Sequence, residues 1–149
     1  MMIYDIEYGM CMRKGEFTIL TVAGKYGESV VIDKDIVVKV IDKIAVWKEN
    51  SIVLIDLSVI LYFTASKKKV AVHTKDGIFE SNSSLECLEI RLSDRGFFRC
   101  HRSFIINMEH VDQIVPWFNS TYMMKLKTTP EQIPVGRHYT RKLRDLLNI

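Results

Sequence analysis

From Lys48 onward, short apolar-rich runs alternate with turn signals, and this rhythm predicts strands at Ser51–Ile55, Val59–Ala65, Val70–Thr74 and Ile78–Ser81. Lys75-Asp76-Gly77 between the last two is a hairpin signal, because Asp-Gly tolerates the positive φ of a tight turn. A second series follows at Phe97–His101, Ser103–Ile106, Val111–Phe118, Tyr122–Lys127 and Gln132–Val135. Two stretches break the strand rhythm. Ser83-Ser84-Leu85-Glu86 fits a capping box, and Leu85, Leu88 and Leu92 fall on one face of a short helix that Arg95-Gly96 ends. The last ten residues predict a terminal helix with Leu143, Leu146 and Leu147 inward and Arg141, Lys142 and Arg144 outward.

The first 47 residues have a different pattern. Phe17–Ala23 is β-branched and bounded by Gly15 and Gly24, which predicts a strand, with Ser29–Ile32 as its partner. Asp33 is a suitable N-cap, and Ile36, Val37, Val40, Ile41 and Ile44 share one face of a 3.6-residue period. A piece this small buries too little surface to stand alone, so it is expected to pack on the remainder or to dimerise. The expected organisation is a strand-and-helix segment at 1–47, serving dimerisation or signal input, followed by a domain at 48–149. The fold class is mainly β: an antiparallel module with short helices behind a small strand/helix segment.

Composition narrows the function. With 48% hydrophobic and 26% charged residues, and only 7 Gly and 3 Pro in 149 residues, the chain is globular rather than disordered or collagen-like. The longest apolar stretches, Ser51–Ala65 and Ile36–Ile44, are interrupted by Asp56, Lys39 and Asp42, short of the roughly 20 clean residues a spanning helix needs. Asp5 and Glu7 stand where a secretory signal would be basic. No membrane association and a cytoplasmic location are the expectation.

Three cysteines form no Cys-x-x-Cys pair, and four histidines show no helical His-x-x-x-His spacing, so no metal site is expected. Cys87 and Cys100 admit two readings: a redox switch whose thiol is activated by Arg99, Arg102 or His101, or simply small buried hydrophobes. With no Gly-rich phosphate loop and no nucleophile elbow, neither catalytic residues nor a cofactor are assigned, and an enzyme is not expected.

Charge is uneven. Residues 1–47 hold six Lys/Arg against seven Asp/Glu, and residues 48–149 hold fifteen against eleven. The positives cluster at Lys67-Lys68-Lys69 and at Arg137, Arg141, Lys142 and Arg144, which makes nucleic acid a candidate partner.

The run Phe97-Phe98-Arg99-Cys100-His101-Arg102-Ser103-Phe104-Ile105-Ile106-Asn107 resembles the signature of the LytTR DNA-binding domain, an output module of bacterial response regulators. Upstream, Asp56, Ile60, Tyr62 and Ala65 match the family's Asp-x-x-x-Ile-x-Tyr-x-x-Ala. Downstream, Ile133-Pro134-Val135-Gly136-Arg137 is similar to its Ile-Pro-Val-Ser-Arg. The likeness covers about residues 48–149. Gly136 departs from the usual Ser, and Phe63-Thr64 from the usual Ile-Glu. The 47 preceding residues are too few for the phosphoacceptor domain that often accompanies this module, so control by aspartyl phosphorylation within this chain is not expected.

The resemblance implies an antiparallel β fold whose loops enter successive major grooves of double-stranded DNA. Promoter sites built as paired repeats, and a homodimer, are the expected partners. By position the contacting loops fall at Lys67, Lys68 and Lys69, at Glu109–His110, and at Arg137–His138, with Arg102 a further candidate. Each has a plainer reading. The lysines fit a solvated hairpin tip, Arg102 a partner for a nearby carboxylate, and Arg137 an ion pair with Asp145 or another acidic neighbour. His101 reads as a hydrogen-bonded structural residue. Trp47, Trp117 and Phe118 read as core or interface, since duplex DNA offers no free base face. The implied function is a sequence-specific transcription regulator. The alternative is a protein-interaction or ligand-sensing module on the same scaffold with weak or no DNA binding.

Overall fold

The computed structural model describes residues 42–149. Apolar side chains recurring at every second position become strands: β1 (Lys43–Lys48), β2 (Ser51–Asp56), β3 (Ile60–Ser66), β4 (Lys69–Thr74) and β5 (Gly77–Ser81). Helix α1 (Leu85–Arg91) follows, then β6 (Phe97–His101), β7 (Phe104–Asn107), β8 (Val111–Trp117), β9 (Thr121–Leu126), β10 (Gln132–Val135) and helix α2 (Arg137–Leu147). Seven strands form one sheet in the order β2-β1-β5-β4-β3-β7-β6, and three form a second in the order β10-β9-β8. Every pairing is antiparallel.

Two hydrophobic cores hold these layers together. In the first, Leu85, Leu88 and Leu92 of the α1 segment pack with Ile44, Val46, Phe63, Val72, Phe97 and Ile105 of the large sheet. In the second, Leu61, Phe98, Cys100 and Ile106 meet Met124, Leu126, Ile133 and Val135 of the small sheet and Leu143 of α2. Strands β3, β6 and β7 therefore contribute to both cores, which is why their sequences are almost continuously apolar. The register shifts between Ile60 and Tyr62, so Leu61 and Tyr62 both turn toward the second core.

The structure departs from the sequence expectations at several points. The helix expected to end at Ile44 ends instead in a strand: Lys43 and Ile44 belong to β1, with Ile44 opposite Ile55 of β2. β-branched side chains favour the pleated surface once a partner strand supplies the hydrogen bonds. The remainder of that helix, and the strands at Phe17–Ala23 and Ser29–Ile32, lie outside the described residues. The sheet thus begins inside the segment assigned to 1–47.

The N-cap of α1 is Ser84, whose Oγ accepts the Cys87 N–H at 3.1 Å. The third helical residue is then Cys87 rather than Glu86, so the reciprocal half of the capping box is missing. On α2, Leu143 is buried and Leu147 and Tyr139 pack beside it, whereas Leu146 is exposed. Trp47, Trp117 and Phe118 are exposed, which overturns the core half of their reading and is compatible with the interface half.

Candidate nucleic-acid interface

Strands β3 and β7 run antiparallel side by side, so the turn after β3 and the turn before β7 meet at one end of the large sheet. The Ala65 N–H donates to the Ser103 carbonyl at 3.0 Å, and the Gly136 N–H donates to the Cys100 carbonyl at 2.7 Å. These two bonds join three connections into one rim: Lys67-Lys68 between β3 and β4, Arg102-Ser103 between β6 and β7, and Gly136 between β10 and α2. Lys67, Lys68, Lys69, Arg102, Arg137 and His138 are all exposed on it.

Each group is presented differently. Lys67 has a left-handed backbone, φ 51°, which closes the connection between Ser66 and Lys69 in two residues. Lys69 is partly neutralised, its Nζ lying 2.6 Å from Oε2 of Glu80 on the same face of the sheet. Lys67 and Lys68 form no ion pair among the described residues, and neither do Arg102 and Arg137. Among the described residues neither Arg102 nor Arg137 pairs with a carboxylate, Asp145 included.

Beneath Arg102 lies a buried cation that holds its turn. The Arg99 guanidinium donates from Nε to the His101 carbonyl at 2.8 Å and from Nη2 to the Arg102 carbonyl at 2.5 Å. It also donates from Nη1 to Glu89 of α1 at 3.3 Å. A guanidinium buried to this extent needs such partners, because an unpaired buried charge is costly.

His101 completes the turn. Its Nδ1 accepts the Ser103 N–H at 3.1 Å, and its ring stands edge-on to Phe104. Burial lowers its pKa, and the charges of Arg102 and Arg99 lower it further, which suits a ring that must keep a lone pair on Nδ1. Gly136 accommodates this ring. A Cβ there would lie 3.2 Å from His101 Cδ2, so the family's serine would crowd it. The backbone at Gly136 is extended, with φ −69°, and steric room rather than a positive φ is what it provides.

His110 is at the other end. It closes a short helical turn after β7, and its Nε2 lies 2.7 Å from the Ser58 carbonyl in the turn before β3. Asn107 anchors this end: its buried amide donates to the Ile60 carbonyl at 2.9 Å and its Oδ1 accepts the Glu109 N–H at 3.1 Å. The seven residues of β3 separate the two ends by roughly 20 Å at about 3.3 Å per residue. The structure therefore brings together six of the seven sequence-chosen residues and leaves His110 apart.

Sequence reasoning missed the supporting residues. Arg99 and Asn107 stand in the quoted motif, and their polarity inside an apolar run was the available signal for structural hydrogen bonding. Glu80 carried no signal, since its approach to Lys69 depends on strand register. The Cys100 thiol is buried, and that burial pushes its pKa up to about 12, opposed by a backbone hydrogen bond and by the charge of Arg99. This opposes the activated-thiol reading, which needs a thiolate near neutral pH. Among the described residues no helix is long and apolar enough to cross a membrane, and no group of three or more His, Cys, Asp or Glu is placed to hold a metal ion.

Comparison with known proteins bears on the same residues. The chain is 40% identical over 107 residues to the sensory transduction protein LytT of Bacillus anthracis, covering 72% of this chain and 43% of that protein. It is 32% identical over 108 residues to the transcriptional regulatory protein YpdB of Escherichia coli strain K12, covering 72% and 44%. The chain thus spans less than half the length of these relatives. Its structure is similar to the LytTr DNA-binding domain of a methyl-accepting/DNA response regulator from Bacillus cereus, with a TM-score of 0.68, 29% identity, and coverage of 72% of this chain and 98% of that one. The family model of the LytTr DNA-binding domain matches residues 50–148, which contain the whole rim and both cores apart from β1, and the chain belongs to that family.

Proposed function

We propose that this chain regulates bacterial transcription by binding duplex DNA sequence-specifically through the rim formed by Lys67, Lys68, Lys69, Arg102, Arg137 and His138. The observation that carries this reading is the convergence of four cations (Lys67, Lys68, Arg102 and Arg137), without ion pairs among the described residues, on three hydrogen-bonded turns. Lysines act as point charges on phosphates, and a guanidinium can pair with guanine O6 and N7 in the major groove. A scaffold that had turned to protein or ligand sensing would have no reason to keep these charges on one edge, and the alternative reading has no comparable support. The chemistry is binding, not catalysis. We further propose a cytoplasmic protein that acts as a homodimer on paired promoter repeats, with residues 1–47 contributing dimerisation or signal input.

Arg137 gives the decisive experiment. It begins α2, directly after the point where Gly136 is tied to β6, so its backbone is fixed while its side chain is exposed. A bidentate base contact is worth about 1–3 kcal/mol of discrimination. Arg137→Ala should lose that much on a duplex selected by the protein from a randomised pool, and much less on a scrambled duplex. Arg137→Lys should recover only part, since it keeps the charge and loses the fork. Equal losses on both duplexes reduce Arg137 to a phosphate contact, and no loss on either removes it from the interface.

A further inference from the structure

The turn between β8 and β9 carries two large aromatic side chains that no core uses. Trp117 is 51% exposed and Phe118 75%, and they pack edge-to-face on each other at 5.2 Å between ring centroids. The following residues, Asn119 and Ser120, both have left-handed backbones, φ 54° and 58°, and Thr121 Oγ1 donates to the Phe118 carbonyl at 2.6 Å. Two consecutive non-glycine residues in this region are sterically unfavourable, and together they form a tight tip that holds the aromatic pair outward. Pro116 just before the tip is tolerated because β8 is an edge strand.

The tip stands next to a row of cations. Asn119 and Ser120 line one side of a cleft of about 600 Å³ whose other side is Arg137, Thr140, Arg141 and Arg144 of α2. The spacing 137, 141, 144 places the three arginines on one helix face. Asp145 and Ile149 also line the cleft, and Arg144 Nε donates to the Ile149 backbone oxygen at 3.4 Å, while Arg141 makes no ion pair among the described residues. Arg137 belongs to the rim described above, so the row and the tip continue that rim sideways.

We propose that the β8–β9 tip and the arginine row form a second contact on the same duplex: Arg141 and Arg144 track the phosphates beside the groove that Arg137 enters, and Trp117–Phe118 wedges apolar surface against a base step and bends the DNA. The proposal rests on the DNA-binding reading above. Its basis is charge complementarity and continuity with the rim. An exposed aromatic pair beside arginines matches the chemistry by which proteins insert apolar side chains at base steps and kink a duplex by about 20–90°. Duplex DNA meets such a pair at an unstacked step, so a free base face is not required.

The experiment uses the full chain and a duplex that it selects from a randomised pool, labelled at its two ends for energy transfer. Wild-type protein should shorten the end-to-end distance. The double variant W117A/F118A should bind the same duplex more weakly and bend it by at least about 20° less. The double variant R141Q/R144Q should lower the magnitude of the log–log salt slope by about 0.9 for each lost phosphate contact. All four positions are exposed on the surface, so melting temperatures near that of wild type should accompany these changes. If W117A/F118A binds and bends like wild type, the wedge is refuted and the tip is left for a protein partner. An unchanged salt slope in R141Q/R144Q refutes the phosphate track. If wild-type protein selects no duplex at all, the underlying reading fails as well, an outcome distinct from selective loss of bending.

Discussion

Lys67, Lys68 and Lys69 are neighbours in sequence but not equivalent in structure. Lys69 already interacts with Glu80, an exposed pair worth at most about 1 kcal/mol, while Lys67 and Lys68 face solvent at the tip. Replacing Lys67 or Lys68 by Ala should therefore weaken binding to every duplex alike and reduce the salt slope by roughly 0.9 per phosphate contact. Lys69→Ala should change it less, because part of that charge is neutralised within the protein. Equal slopes in all three variants and in wild type would assign the triplet to a solvated turn. His101 offers a pH test at the same scale. Its folded pKa lies below that of the unfolded imidazole, about 6.5, because the ring is partly buried beside Arg102 and Arg99. The unfolded state thus binds the proton more readily, and the stability His101 contributes is complete above about pH 6.5 and lost as pH falls through the folded pKa. The gap in melting temperature between wild type and His101→Asn should narrow on acidification, and a gap independent of pH would remove the proton-sensitive Nδ1 contact from the account. The basic triplet was legible because charge density is a property of composition. The Glu80 pairing was not, because it depends on how β4 and β5 align.

Elements were read well where neighbours in sequence are also neighbours in space. The strands from β2 to β10 fall within a residue or two of their expected positions, since alternation and turn chemistry are local. The helix expected up to Ile44 shows where local reading ends. Ile44 fits a helical stripe as well as a strand, and what decides is β2, which returns antiparallel and pairs with every residue of β1. A boundary between Trp47 and Lys48 would cut through this hairpin and remove Ile44 and Val46 from the first core. Ile44→Ala should accordingly destabilise the folded chain by about 2–5 kcal/mol, the range for truncating a buried aliphatic side chain, measured by denaturant unfolding at constant m-value. A cost below about 0.5 kcal/mol, typical of a surface position, would mean that β1 is dispensable. At α1, Ser84→Ala should cost about 0.5–2 kcal/mol through the lost cap.

At the scale of the whole described domain the large sheet has two ends, and the buried polar residues of the motif serve both. Arg99 ties down the turn that carries Arg102, and Asn107 ties down the turn that carries His110. Along the chain these turns are separated only by β7, and the resemblance placed both on DNA, in loops entering successive major grooves. In space the seven residues of β3, paired with β7, span the distance between the two ends, and a duplex lying on the lysine and arginine rim is roughly 20 Å from His110. The His110 imidazole is also engaged, holding the Ser58 carbonyl and so closing the turn before β3 onto the turn after β7. His110→Ala should therefore act on stability and not on recognition. Loss of one partly exposed hydrogen bond predicts a decrease of about 0.5–1.5 kcal/mol in unfolding free energy, with affinity for the selected duplex unchanged at a temperature where the protein stays folded. Melting and duplex titration on the same preparation, with Arg137→Ala as the reciprocal control, separate the two effects. A fall in duplex affinity at unchanged stability would place His110 on the DNA and require the duplex to wrap past the rim to the far end of β7.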